Sequence, residues 1–512
     1  MTKSKDFENQ ENEGDTAGRK GQAETLLKLV LETGAILFHD QFGRAFIAPK
    51  GDGRQVIGLR SKDFRTWLAD LGWTELERPI NPTVIQTVVT TLEGIAIHKR
   101  EEIALHLRVA SRGGALWYDL GGGSAVKITP KDVEIHPNPP ILFRTLPHQR
   151  PQAVPVWGGK LEEIFNFLPE PAESHEKILL LAWFVTALMQ GFPHPILVVH
   201  GEKGSRKTTL FKLLRKLLDP SHLETLQPNG DAREFVQQAS HNYFLPLDNL
   251  SPINSSFSDV LCRVVTGEGF SKRELYSDDD DVIYSFQRLV GVNGINLVLD
   301  KPDVLDRALI IRLSRPKKYV KEKELFRSFE EARPRLVGAL FKAIARTMKY
   351  SDQVDEVPGL EGYRMADFAR LGCAVAKALG MEPGQFVEAL KKNLQRQQQE
   401  VLDSSPVALA VISLMGDGSP DIWTGTPESL LASLRQSAES IQIDPDKKPF
   451  PQNANWLWRR LEEAVPTLRE RGIEVSREKG KERIIRIRKI GGSDGDGALL
   501  DEAKRVFPAP PS

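Results

Sequence analysis

PILVVHGEKGSRKTTLFKLLRKLLDP, residues 195–220, decides the fold. A short apolar run, Ile196–Val199, leads into a loop carrying Gly201 and Gly204, and an amphipathic helix starts at Thr208. Strand, glycine loop and helix in that order make a cradle for phosphate. The loop's backbone N–H groups and the helix N-terminus face the anion, and glycine leaves the tight turns open. The candidate nucleotide-binding set is therefore Gly201, Glu202, Lys203, Gly204, Ser205, Arg206, Lys207, Thr208 and Thr209. In this arrangement Lys207 reaches the β- and γ-phosphate oxygens of ATP, and the Thr208 hydroxyl serves Mg²⁺. Arg206 stands where the usual pattern has glycine. The expectation is that it avoids positive φ and turns its side chain away from the phosphates.

Working outward, the apolar run Tyr243–Leu247 ends in Asp248, which suits the acid that holds Mg²⁺ through water. Asn249 follows where many ATPases carry a glutamate; an amide orients water but cannot take its proton. Glu202 and Glu268 are the other acids to consider for that task. A third run, Leu289–Val292, ends at Asn293, a polar group placed to touch the γ-phosphate or its water. Asp303-Val-Leu-Asp306-Arg307 then precedes a fourth run, Ala308–Leu313. An arginine there is placed to reach the nucleotide of a neighbouring subunit, which requires an oligomer.

On these residues, Pro195–Arg335 resembles an AAA+ module of the P-loop NTPases. GEKGSRKTT, FLPLDN, GVNG and DVLDRALII resemble the MCM-like helicases of staphylococcal cassette elements and related phage helicases, and the likeness extends over most of the chain. The resemblance implies that Lys207, Thr208 and Asp248 bind MgATP. It implies that Asn293 is the first sensor and Arg307 the finger acting in trans. Arg335, at the start of a helix that Pro334 opens, is the expected second sensor, with Arg333 as its rival.

The insert Ser251–Arg288 holds two candidate strands, 270–276 and 282–286, around the acidic turn Ser277–Asp281. MCM-like and viral helicases grip DNA with such a hairpin. An acidic turn cannot hold phosphate, so Lys272 and Arg273 are the candidate contacts; a solvated surface hairpin is the plain alternative. Further on, Val407–Met415, Pro427–Ser437 and Asn453–Ala464 read as helices, followed by strands at Ile473–Ser476 and Ile484–Ile490. Three helices and a two-stranded wing describe a winged helix. From Trp456 to Ile490 there are eleven Lys/Arg against six Asp/Glu. Arg459 and Arg460 lie in the presumed recognition helix, and Lys479 and Lys481 at the wing tip. Trp456 and Trp458 are expected in the core rather than under a base.

The 512 residues suffice for about three domains. Lys+Arg and Asp+Glu both number 69, so DNA contact must come from local patches. The two cysteines, Cys262 and Cys373, have no metal-like or disulfide-like neighbours, which fits a reducing cytoplasm. The longest apolar run, Ile178–Met189, is too short to span a bilayer and reads as a buried helix; no membrane contact is expected. The expected fold class is α/β: an AAA+ P-loop NTPase core, an N-terminal α/β domain and a C-terminal winged-helix domain. The divisions are a disordered arm over 1–22, the N-terminal domain over 23–145 and a Pro-rich linker over 146–158. The ATPase domain follows over 160–350, a helical lid over 351–404, the winged helix over 405–490 and a flexible tail over 491–512. Residues 23–145 show no catalytic constellation. The expected function is an ATP-dependent DNA helicase or translocase, a homo-oligomeric ring (a hexamer) acting on single-stranded DNA, in replication of a mobile element or phage. The alternatives are an ATP-switched initiator or loader, and a scaffold without turnover.

Overall fold

The computed structural model describes residues 21–50, 55–227, 231–250, 255–273, 281–284, 286–294, 302–316, 320–354, 363–403, 405–416, 418–447, 450–479 and 483–490. The arm up to residue 20, the tail from 491, most of the acidic turn and Lys481 lie outside them. The described residues form two compact units, divided at Lys391/Lys392.

The first unit opens with helix α1 (residues 21–32) and the hairpin β1 (Ile36–His39) and β2 (Ala45–Ala48), to which β3 (Ile57–Gly58) adds. Asp40 makes the turn: its carboxylate accepts the N–H groups of Phe42 and Arg44. Helices α2 (Lys62–Leu76) and α3 (Pro82–Lys99) pack on this sheet, each started by a side-chain cap, Ser61 and Asn81. Next, β4 (Leu105–His106) pairs in parallel with β9 (Leu142–Phe143). Between them β5 (Val109–Arg112), β6 (Ala115–Gly121), β7 (Ser124–Ile128) and β8 (Val133–Pro137) run as an antiparallel meander. Alternate residues divide its faces: Leu116, Tyr118 and Leu120 join the main core, while Ala115 and Trp117 join a smaller cluster.

The main core runs across residue 145. The meander shares one apolar cluster with residues far beyond it, and everything to Lys391 is one unit. The Pro-rich segment is likewise packed down rather than loose. It crosses α9 (Glu322–Ser351), where the Val156 N–H donates to the Pro334 carbonyl at 2.9 Å. Gly338 leaves room for the crossing, since a Cβ there would lie 2.2 Å from the Val156 carbonyl oxygen. Pro334 therefore sits inside a 30-residue helix and does not open one. The helix runs on past the missing N–H with its buried face intact.

The centre of the first unit is a four-stranded parallel sheet. Its strands are β10 (Ile196–Gly201), β11 (Phe244–Leu247), β14 (Leu289–Asn293) and β15 (Ala308–Leu313), in the order β11-β14-β10-β15. Helix α4 (Ser174–Thr186) is the apolar run and is buried almost throughout. Helix α5 (Lys207–Leu218) follows β10, and α6 (Ala232–His241) precedes β11. Helix α7 (Ser255–Thr266), the antiparallel pair β12 (Phe270–Arg273) and β13 (Asp281–Tyr284), and the short α8 (Pro302–Leu305) complete this region. Helix α10 (Ala366–Ala378) packs on α4 and α9, and α11 (Pro383–Asp403) runs into the second unit.

The second unit contains α12 (Pro406–Leu414), β16 (Ile422–Gly425), α13 (Pro427–Ser440), α14 (Ala454–Glu470), β17 (Ile473–Lys479) and β18 (Arg483–Lys489). Three helices cover one antiparallel sheet ordered β16-β18-β17 around a single apolar core. Strand β16 was not expected; Asp421-Ile-Trp-Thr is too short to show a period. Among the described residues no helix is long and apolar enough to cross a membrane.

Candidate functional site

The glycine loop from Gly201 to Thr209, Asp248, Asn249 and Asn293 sit at the C-terminal edge of the parallel sheet, where strand ends and helix N-termini leave room for a ligand. The loop between β10 and α5 approaches its neighbours closely. Gly201 has φ +151°, and a Cβ on it would meet the Leu313 carbonyl oxygen at 2.5 Å and Ser205 Oγ at 2.9 Å. Gly204 has φ +89°.

Arg206 corrects the sequence expectation. It adopts φ +62°, ψ +32°, the left-handed conformation that glycine usually supplies at this position. Holding a non-glycine residue there costs about 1–2 kcal/mol. Its guanidinium leaves the loop and donates to the Val320 carbonyl at 3.1 Å. From the other side Arg315 pairs with Glu202 at 2.9 Å and donates to the Lys203 carbonyl at 3.1 Å. The loop is thus clamped to the segment that leads into α9.

Lys207 folds back over the loop, its Nζ 2.7 Å from the Gly201 carbonyl and 3.3 Å from that of Glu202. Burial lowers its pKa from the ordinary lysine value, against the opposing pull of Asp248. Thr208 opens the helix with Lys207, and its hydroxyl donates to the Asp248 carboxylate, at 2.9 and 3.1 Å from its two oxygens. Thr209 follows in the same first turn. Asp248 ends β11 and Asn293 ends β14, the strand lying between β11 and β10. The Asn293 side-chain oxygen accepts the Asn249 N–H at 2.9 Å, and its backbone oxygen accepts that of Leu250 at 2.9 Å. Asn249 itself is in the left-handed region at φ +53°.

Among the described residues, the buried Ser205 Oγ and Asn293 Nδ2 at this edge have no hydrogen-bond partner. Leaving such atoms unpaired costs about 1–3 kcal/mol each, so their presence fits a site completed by a polar ligand. An ammonium, an array of loop N–H groups, and a hydroxyl facing a carboxylate are the donor set for a phosphate chain with a divalent cation.

The remaining candidates are not gathered there. Arg307 is nearly buried and pairs within its own chain with Asp303, at 2.6 Å from its carboxylate and 2.7 Å from its carbonyl. Arg364, which sequence reasoning missed, meets the same carboxylate at 2.6 Å. Desolvation pushes the Asp303 carboxyl up, but the two arginines outweigh it and hold the pKa below the ordinary aspartate value. Arg335 is exposed in the interior of α9. Arg333 is tied to Gln152 at 2.9 and 3.0 Å and to Glu330 at 3.0 Å. Glu268 pairs with Arg263.

Lys272 lies opposite Val282, and Arg273 opposite Asp281, in the β12–β13 ladder; their side chains fall outside the described residues, as does that of Lys479 in β17. Arg459 and Arg460 are on α14, and both face Glu463, at 3.9 and 2.8 Å. Trp458 packs on the core beneath Arg477, as expected, whereas Trp456 is 39% exposed. A start on the first turn of α14 leaves it at the rim.

The chain is thus a mixed α/β protein whose parallel sheet carries a polar cluster at its strand ends. Residues 161–395 match the family model described as actinomycete integrative conjugative element replication protein, and residues 407–498 match that family's C-terminal domain. Both models describe parts of the replication protein of a mobile element. The element those models name is of the integrative conjugative kind, where the sequence motifs resembled cassette helicases. Among solved structures the chain is similar to the active helicase Cch of SCCmec type IV, at 12% identity over 89% of this chain and 93% of that one, with a TM-score of 0.45. It is also similar to the apo A form of the NrS-1 C-terminal region, at 12% identity over 91% and 99%, with a TM-score of 0.41. No curated protein matches.

Proposed function

We propose that the chain is an AAA+ P-loop ATPase that moves along DNA during replication of its mobile element. The observation that carries this is the meeting of Lys207, Thr208, Asp248 and Asn293 from three neighbouring strand ends, with the Asn293 strand between the other two. In this reading Gly201–Thr209 hold the phosphates of ATP through their backbone N–H groups, and Lys207 exchanges its loop carbonyls for phosphate oxygens. Thr208 and Asp248 hold Mg²⁺, which supplies positive charge to the phosphate oxygens. Asn293 offers its free N–H group to the phosphate or the attacking water. Asn249 and Asn293 orient that water; neither amide removes its proton.

Arg307, as a finger acting on a neighbouring subunit, must first exchange Asp303 for its target, so assembly and release of that pair are linked. Arg335 is free on α9 to serve as second sensor, while Arg333 is engaged elsewhere. The second unit, with helix–strand–helix–helix–strand–strand order, is a winged helix that adds DNA contacts through Arg459, Arg460, Lys479 and Lys481. The β12–β13 hairpin, with Lys272 and Arg273, contacts single-stranded DNA within a ring, a hexamer by the resemblance. One observation favours a second reading, an ATP-switched initiator or loader. The residue after Asp248 is Asn249, whose side-chain amide cannot take a proton from water, and whose backbone N–H binds Asn293.

ATP hydrolysis by wild type and Lys207→Ala, with and without single-stranded DNA, separates these readings. DNA-stimulated turnover that vanishes in the variant supports the motor. Slow turnover indifferent to DNA supports the switch, and an active Lys207→Ala protein removes the P-loop assignment.

A further inference from the structure

Helix α5 and strand β11 touch at the Thr208–Asp248 pair, and they are fastened again at their opposite ends. Asp219 follows the last turn of α5 and is almost fully buried. Its carboxylate accepts Arg215 Nη1 at 2.7 Å, Arg108 Nε at 3.1 Å, and the backbone N–H groups of Tyr243 and Phe244 at 2.9 and 3.2 Å. Arg215 also donates to the Phe244 carbonyl and to the Asn242 side-chain oxygen. Residues 242–243 lead into β11, and Asp248 follows its far end. Burial pushes the Asp219 carboxyl up, and Arg215 and Arg108 more than reverse it, so the group stays ionised between two guanidinium ions.

Arg108, just before β5, brings the meander into the same cluster. Fully buried at φ +64°, it donates to the carbonyls of Asp119, Arg150 and Pro220. Tyr118 on β6 donates to the last carbonyl of α5, that of Leu218, at 3.1 Å.

We infer that Arg215 is a positioning residue for the nucleotide site, setting the height of β11 against α5 and hence the alignment of Thr208 with Asp248. Strand residues advance about 3.3 Å each, so a slip of a fraction of one residue parts an oxygen pair held at hydrogen-bond distance. Only a planar fork reaches the Asp219 carboxylate, the Asn242 amide and the Phe244 carbonyl together; a lysine ammonium holds the charge and loses the spread. The β5–β8 meander, in which the sequence shows no catalytic constellation, becomes part of the support of that site through Arg108.

The inference rests on the nucleotide reading, and its consequence falls on the Mg²⁺-dependent part of binding alone. The test is titration of full-length wild type, Arg215→Lys and Arg215→Met with a fluorescent ADP analogue, across a Mg²⁺ series and in EDTA. The apparent Mg²⁺ constant should rise about tenfold in the variants, as for loss of an outer partner of a metal ligand. Binding in EDTA should stay within about twofold of wild type, and excess Mg²⁺ should restore affinity. An unchanged Mg²⁺ constant in Arg215→Lys overturns the inference, as does an equal loss with and without Mg²⁺. Should Arg215→Met not fold, Arg215→Lys decides by the same measurement. A wild type that binds no analogue overturns the nucleotide reading itself, a separate outcome.

Discussion

Arg206 offers a test in which the order of two substitutions reverses. At an ordinary helical position Ala is more stable than Gly by about 1 kcal/mol. At φ +62° the comparison differs. Arg206→Ala and Arg206→Gly both lose the bond to the Val320 carbonyl, a partly exposed contact contributing about 0.5–1 kcal/mol. Alanine keeps the left-handed cost of about 1–2 kcal/mol, which glycine escapes. Glycine in turn loses about 0.4–1 kcal/mol through the freedom of its unfolded chain. The difference leaves Arg206→Gly more stable than Arg206→Ala by about 0.5–1 kcal/mol, as these terms subtract. Urea unfolding of the first unit, compared at a common slope, reads this directly. Nucleotide binding should survive in Arg206→Gly, because the loop keeps its backbone path. An alanine variant more stable than the glycine variant refutes the left-handed assignment and the clamp built on it.

Stability should also fall on mild acidification. Burial lowers the pKa of His194 to about 4, with its Nε2 donating to the Thr186 carbonyl. The fold favours the neutral ring, so its contribution is complete above the unfolded value of about 6.5 and is lost as pH falls towards 4; the loss approaches roughly 3 kcal/mol. His241 shifts in the same direction. Urea midpoints from pH 7.5 to 4.5 test this, and an equally steep profile in His194→Gln speaks against it. On α14, Glu463→Gln should free Arg459 and Arg460. DNA affinity should then rise at low salt, and the log–log salt slope should steepen by up to about 0.7–0.9. An unchanged slope removes those two arginines from the DNA surface.

Much of the architecture was legible because local chemistry and fold agree. Asp40 and Gly43 turn the first hairpin as their types predict, and the apolar run from Ile178 is the buried helix α4. The strand–loop–helix pattern at 196–218 appears as β10, its loop and α5. Misreadings fell where distant chain decides the outcome. Pro334 suggests a helix start by its own chemistry, yet it lies inside α9, whose buried face packs on the main core on both sides of it. Arg206 was expected to avoid positive φ, but its neighbours hold it there.

From sequence alone came the order of elements and the residue types at each strand end, because period and turn chemistry are local properties. Tertiary structure alone decided which strand ends lie side by side, and so brought Thr208 to Asp248 and Asn293 to Asn249. It also brought Arg364 to Asp303 and drew Arg108 beside Arg215. Arg108 and Asp219 are 111 positions apart, and no local pattern encodes a contact over that separation. The buried charge of Asp219 does, because a carboxylate withdrawn from water must be met by whatever cations the fold can bring to it.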